Sequence, residues 1–193
     1  MEDEIVKSVV EMSAYVFERG LVYGKAGNIS ARFKGENGDI VAITPTLKSL
    51  ADLREEDIVL VDENGNCLTK GKPSSEVIMH LEIYKNKPDV YGIAHTHSPY
   101  ATGFAFSNKR IKRLEGFGAI KSEYIKDIEY FKPGSKELAD AASEALRDED
   151  VIVLKNHGVI ATGETVKEAA TLVEFVEEIA KTQFVTHVLN SIE

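Results

Sequence analysis

Cysteine is nearly absent, Cys67 being the only one in 193 residues. No disulfide can form within the chain, and a thiolate metal site is not expected. Long apolar runs are missing too, since nothing approaches the roughly 20 residues needed to span a bilayer. The N-terminus, Met1-Glu2-Asp3-Glu4, is acidic and leads straight into an amphipathic pattern, unlike a secretory signal. A cytoplasmic protein is the expectation, and Asn28-Ile29-Ser30 is then an accidental match to a glycosylation acceptor. Positive charge is the scarcer sign, with 23 Lys and Arg against 32 Asp and Glu and a formal net charge of -9. That balance argues against nucleic-acid and anionic-membrane partners. An anionic small substrate stays compatible with it, because a few local donors outweigh a distant net charge.

The remaining composition, 43% hydrophobic and 28% charged, is that of an ordinary globular protein. No linker, repeat or compositional break divides the chain, so one domain over 1–193 is expected. A helical apolar stripe runs from about Glu4 to Arg19 and stops at Gly20. Alternation then predicts strands over 28–33 and 39–44, joined across Gly35 to Gly38, and another over 58–61. Asn64-Gly65 reads as a hairpin turn into Cys67-Leu68. Ser75 is the predicted N-cap of a helix through Lys85, and 90–95 reads as a short buried strand. Ser98-Pro99 supplies a cap and a first-turn proline for a helix to about Phe106. A helix over 135–146, strands over 151–154 and 158–162, and a long helix from Thr165 toward Leu189 complete the pattern. Hairpins alternating with helices predict an α/β fold, a mixed sheet with helices packed on its faces. Gly24, Gly27 and Asn28 lack the spacing of a dinucleotide fingerprint and are followed by a strand, which argues against that class.

Histidine is also rare, with five in the chain, yet three stand in two compact strand-like settings. His95 and His97 are two apart at the end of an apolar strand, so both side chains point to one side. The bland alternative is a pair of hydrogen-bonded strand-end histidines. His157, between two further strands in Asn156-His157-Gly158, shifts the balance. Three neutral imidazoles are a usual protein contribution to an open zinc site, and cobalt or manganese would also suit such ligands. Glu76 follows Pro73-Ser74-Ser75 at the start of a helix, where a carboxylate has either a capping role or an acid/base role. Hydroxyls and backbone N–H groups at that helix start make an anion site. Ser74, Ser75, the turn Ala26-Gly27-Asn28 and Thr44-Pro45-Thr46 are its candidate residues, although each is also an ordinary turn former. His80, one helical turn after Glu76, is either a helper to it or a packed helix residue, packing being the favoured reading, and His187 reads as surface. Tyr100 and Tyr124 are candidate proton donors, and Asp148-Glu149-Asp150 reads as a solvated connection.

Taken in order, Gly27-Asn28-Ile29-Ser30, Thr44-Pro45-Thr46, Pro73-Ser74-Ser75-Glu76, His95-Thr96-His97 and Asn156-His157-Gly158 resemble the signature of the class II aldolase/epimerase family. The resemblance spans nearly the whole chain. It implies a three-layer α/β/α fold with a mixed, largely antiparallel central sheet. It further implies one zinc on His95, His97 and His157, a phosphate held by Gly27, Asn28, Thr46, Ser74 and Ser75, and Glu76 as catalytic acid/base, a glutamate that in some resting relatives also ligates the metal. A homotetramer with active sites between subunits follows from the same likeness. The implied activity is reversible cleavage of a ketose 1-phosphate, of the L-fuculose 1-phosphate type, to dihydroxyacetone phosphate and a short aldehyde through a metal-stabilised enediolate. Three departures stand out. Leu47 occupies the place of a glycine in the family's phosphate turn, no tyrosine lies near Gly116-Phe117, and the C-terminal tail of longer relatives is not expected. A 4-epimerase of L-ribulose 5-phosphate is a rival activity, but it carries a lysine where Thr44 stands. A dehydratase of methylthioribulose 1-phosphate is a second rival, and a non-catalytic adducin-head-like interaction module a third.

Overall fold

A computed structural model describes residues 2–36, 38–114 and 122–192. The helices are α1 (Glu2–Glu18), α2 (Val77–Asn86), α3 (Pro99–Phe106), α4 (Lys136–Leu146) and α5 (Val166–Leu189). The strands are β1 (Asn28–Gly35), β2 (Gly38–Ile43), β3 (Val59–Asp62), β4 (Gly92–Thr96), β5 (Lys126–Ile128), β6 (Val151–Leu154) and β7 (Gly158–Gly163). They form one sheet in the order β3-β2-β1-β4-β7-β6-β5. Only the β5–β6 pair is parallel among the described strands; the others are antiparallel. The expected mixed, mostly antiparallel sheet is what the chain forms.

Alternation along the strands builds two apolar layers. Ile29, Ala31 and Phe33 of β1 pack with Val9 and Val16 of α1, Ala101 and Ala105 of α3, and Val173, Val176 and Ala180 of α5. Val41 and Ile43 of β2 and Ile93 of β4 face the other way, onto Met79 and Ile83 of α2 and Leu138 and Ala142 of α4. Helices therefore cover both faces of the sheet, giving three layers. The glycine at β4's start lets α5 approach: a Cβ on Gly92 would lie 2.3 Å from the backbone of Val166.

Several local readings shift. β5 was not expected, because Lys-Asp-Ile is short and polar; it docks on β6 through Lys126↔Ile152 and Ile128↔Leu154. After Asn64-Gly65 no strand forms, only a single bridge from Cys67 to Val61. Asp62 instead draws the backbone N–H groups of Asn64 and Asn66 onto its carboxylate and closes the turn locally. Ser98 does not cap α3 with its side chain; the Glu177 carboxylate of α5 accepts from the Tyr100 and Ala101 N–H groups. The Asp148-Glu149-Asp150 run is not wholly solvated, because Glu149 is buried against Arg113.

Candidate metal centre and its surroundings

His95 lies on β4 on the same face as Ile93, and β7 pairs alongside it through His95↔Ile160. The β6–β7 loop that carries His157 turns at Asn156, which takes a left-handed φ of 54°, a conformation asparagine tolerates better than most residues. Gly158 follows because space runs out: a Cβ there would sit 2.4 Å from the Thr96 carbonyl and 3.1 Å from the His97 ring. Asn156-His157-Gly158 thus has a steric reason for its first and last members. Gly27 is similar, with φ 78° and a virtual Cβ 2.9 Å from the His95 carbonyl.

The three rings meet edge to face, with centroids 4.7 to 5.0 Å apart. His95 Nε2 lies 3.3 Å from His157 Nε2 and 3.0 Å from His97 Nε2. One nitrogen from each ring falls within a 4.8 Å span. Tetrahedral ligands about 2.0–2.1 Å from zinc stand roughly 3.3 Å apart, so this donor set fits a metal ion. His95 Nδ1–H donates to the Val159 carbonyl at 2.9 Å, which leaves the Nε2 lone pair facing the cluster, the outer-partner arrangement usual for a metal-binding histidine. His157 Nδ1 has no such partner among the described residues.

Glu76 closes the group. It occupies the N-cap position of α2 but makes no capping bond, so the expected first-turn placement and cap at Ser75 both move by one residue. Ser74 takes the turn instead, its Oγ accepting from Glu76 N–H and its carbonyl from Val77 N–H. The carboxylate is free to turn inward, with Oε2 3.2 Å from His95 Nε2 and Oε1 3.5 Å from His157 Nε2. Burial pushes the Glu76 carboxyl up, but His95, His157 and the Asn28 amide outweigh it and hold it well below the usual carboxylate range. Burial, with repulsion from His95 and His157, lowers His97 to about 3. His157 falls to about 4, chiefly by burial and then by His95. Burial works against a charge on His95 as well, but Glu76 and the Val159 carbonyl reverse it and raise His95. A carboxylate beside His97 and His157, both held neutral near pH 7, is an arrangement that attracts a cation.

The expected phosphate residues come from three segments that the backbone brings side by side. Pro45 bridges to Pro73, Thr46 N–H donates to the Lys72 carbonyl, and Ser74 N–H to the Thr44 carbonyl. Ser74 is buried and Ser75 exposed. Asn28 departs from its expected use: its side chain donates to Glu76 and accepts from His80, so the amide is already engaged. Leu47 adopts φ 63°, so the turn keeps a glycine-like backbone without the glycine. Thr44 Oγ1 accepts from Ile29 N–H, a structural task. Tyr100 packs at a tilt against Phe184 and Tyr124 lies under Arg110; neither is bonded to the histidine cluster among the described residues. Gly116-Phe117 lies outside the described residues.

His80 has partners that the sequence did not reveal. It is packed, as expected, but both ring nitrogens are bonded within a buried polar group of Asn28, Ser30 and Tyr84. Its i, i+4 spacing from Glu76 on one helix face was the available signal.

Residues 7–184 match the family described as class II aldolase and adducin N-terminal domain. The chain belongs to that family. It is 39% identical over 176 residues to an L-fuculose phosphate aldolase of Methanococcus maripaludis, covering 91% of this chain and 94% of that protein. A 3-oxo-tetronate 4-phosphate decarboxylase of Haemophilus influenzae is 34% identical over 181 residues, covering 91% and 85%. A solved L-fuculose 1-phosphate aldolase superposes with a TM-score of 0.87 at 31% identity, covering 96% of this chain and 87% of that one.

Proposed function

We propose that the protein is a zinc-dependent class II aldolase that reversibly cleaves a ketose 1-phosphate of the L-fuculose 1-phosphate type to dihydroxyacetone phosphate and a short aldehyde. The observation that carries this reading is the Glu76 carboxylate, 3.2 Å from His95 Nε2 and 3.5 Å from His157 Nε2. A base in that place reaches a carbon whose neighbouring oxygens sit at the histidine cluster. His95, His97 and His157 would hold the ion, which when bound supplies Lewis acidity toward a ketone oxygen. Gly27, Thr46, Ser74 and Ser75 would orient the phosphate, with Asn28 turned to support Glu76. Glu76 removes a proton from the hydroxyl-bearing carbon of dihydroxyacetone phosphate. The C–H electron pair passes into the enediolate, whose carbon then attacks the aldehyde carbon as the carbonyl π pair moves onto oxygen. That oxygen takes a proton from water, to which Glu76 returns its own; cleavage is the reverse. In this reading the protein works in the cytoplasm as a homotetramer with active sites between subunits.

A second reading has specific support, the 34% identity to a decarboxylase of a 3-oxo-tetronate 4-phosphate. Loss of carbon dioxide from such a four-carbon acid leaves the same enediolate, which would take up a proton, relayed from water by Glu76, to give dihydroxyacetone phosphate. The two activities differ in what leaves, not in what the site stabilises. The lysine of the 4-epimerase has no counterpart at Thr44, which is engaged with Ile29.

The test is solvent-deuterium exchange into dihydroxyacetone phosphate by zinc-loaded protein. Exchange by wild type, with Glu76→Gln retaining about one zinc per chain and losing at least about 1000-fold in rate, is the expected result. No exchange by the zinc-loaded wild type overturns the reading. Supplying L-fuculose 1-phosphate and a 3-oxo-tetronate 4-phosphate to the same preparation separates aldolase from decarboxylase.

A further inference from the structure

Behind Glu76 runs a buried file of four polar side chains. Glu76 Oε2 accepts from Asn28 Nδ2 at 3.0 Å, and Asn28 Oδ1 lies 2.6 Å from His80 Nε2. His80 Nδ1 lies 2.7 Å from Ser30 Oγ, which lies 2.8 Å from the Tyr84 hydroxyl. Exposure is 5% for Glu76, 4% for Asn28, 3% for Tyr84 and nil for Ser30 and His80. Bond chemistry fixes the direction of every link. The carboxylate only accepts, so Asn28 presents its N–H to it and its carbonyl to His80. His80 must therefore carry a proton on Nε2, and because burial keeps the ring neutral, Nδ1 is left to accept from Ser30 O–H. Ser30, having donated, accepts from Tyr84. All donors point one way, toward a single carboxylate oxygen. The other oxygen, Oε1, is buried beside His157 and accepts no hydrogen bond among the described residues. A buried, donor-free carboxylate oxygen calls for an explanation.

We propose that Asn28 and His80 are positioning residues that pin Glu76 through Oε2 and so leave Oε1 as the oxygen that exchanges the proton with substrate. This inference rests on the acid/base role given to Glu76 above. The file is not a proton wire, because the Asn28 amide donates from one atom and accepts at another. In the step itself the substrate C–H bond breaks, its electron pair enters the enediolate, and the proton forms an O–H bond with Oε1. His80 never touches substrate. Its single tautomer decides which end of Asn28 meets Glu76, and a flipped amide would set a carbonyl against the carboxylate.

The experiment has a readout that needs no substrate. Ring nitrogen shifts of His80 in labelled protein should show the Nε2–H tautomer from about pH 6 to 8; the Nδ1–H form overturns the proposal. In zinc-loaded protein, His80→Leu should lower kcat and the exchange rate by about 100-fold, the scale of a misplaced base. KM should stay within about 3-fold and zinc at one per chain. His80→Gln, whose amide N–H reaches the place of Nε2, should restore the rate to within about 3-fold of wild type. Tyr84→Phe, at the far end, should cost less than about 3-fold. Should His80→Leu not fold, Ser30→Ala removes one oxygen and releases the tautomer; folded and zinc-loaded, it should lose at least about 3-fold in kcat alone. Wild-type exchange in either folded variant, or a Tyr84→Phe loss as large as that of His80→Leu, overturns the positioning role. Failure of wild type itself to exchange would instead sink the function on which it rests.

Discussion

The two faces of β1 share one backbone and one degree of burial, but little else. Ile29, Ala31 and Phe33 enter the apolar layer under α1 and α5. Asn28, Ser30 and Arg32 point to α2 and are 6% exposed or less. The first face contributes by area removed from water, about 1.5–3 kcal/mol for a fully buried large side chain. The second contributes nothing unless each polar atom finds a partner. Arg32 meets most of that demand through its two terminal nitrogens, donating to the Tyr84, Pro88 and Val90 carbonyls at 2.8, 2.6 and 2.5 Å beside the Tyr84 and Tyr91 rings, while its Nε has no partner among the described residues. The apolar face supports stability alone; the polar face ties stability to the aim of Glu76.

That contrast breaks most visibly at Phe33. Phe33→Ala should destabilise by about 3–5 kcal/mol, because the strand cannot collapse into the space left between two helices. Activity per folded molecule should stay within about 3-fold. Denaturant midpoints and kcat on the same preparation check both, and a specific loss of kcat would erase the distinction between faces. On the opposite face, Arg32→Met should cost about 2–3 kcal/mol by leaving the carbonyls at the end of α2 without donors. Because α2 also carries His80 and follows Glu76, kcat should fall as well. Unchanged kcat would mean that the C-terminal end of α2 is uncoupled from the site.

Acid sharpens the comparison, since only the polar face titrates. Burial, with His95 adding to it, lowers His80 from 6.5 to about 3. Below about pH 6.5 the unfolded chain takes up a proton there and the folded chain does not. Stability present above that pH is therefore lost as pH falls, at up to about 1.4 kcal/mol per unit. Between pH 7 and 5 the wild type should lose about 2 kcal/mol more than His80→Gln. Urea midpoints at the two pH values measure it, and parallel losses would show that His80 protonates freely in the folded state.

How much of this is legible in the residues differs between the same two faces. The alternation of 28–33 marks a strand correctly, and apolar periodicity together with cap signals places the five α-helices, though not the short 3-10 turns at Leu50–Asp52 and Glu55–Asp57. Alternation cannot tell a polar face turned to water from one turned to a buried network, so Ser30 and Arg32 give no sign of their partners. Motif order alone brings His95, His97, His157 and Glu76 into one group. The link from His80 to Asn28 joins residues 52 positions apart, and only the register of β1 against β4 and the packing of α2 establish it. The two helix starts shift for opposite reasons: Ser74 rather than Ser75 makes the turn before α2 locally, whereas Glu177 on α5, distant in sequence, supplies the acceptor at the start of α3.

The smallest expected effect tests strain at the rim of the site. Leu47 holds φ 63° with its side chain 72% exposed, so it suffers the left-handed backbone without the compensation of burial. Relief of that conformation by glycine is worth about 1–2 kcal/mol. The added freedom of the unfolded chain takes back about 0.5–1 kcal/mol. Leu47→Gly should therefore stabilise by up to about 1 kcal/mol, a shift of a few degrees in melting temperature for a chain of this size. The turn already has a glycine-like backbone, so its N–H groups should be no better placed for phosphate after the change. KM for a phosphorylated substrate is then expected to move less than about 2-fold. A large gain in affinity would show instead that the leucine side chain, and not the backbone, limits how closely phosphate approaches Thr46 and Ser74.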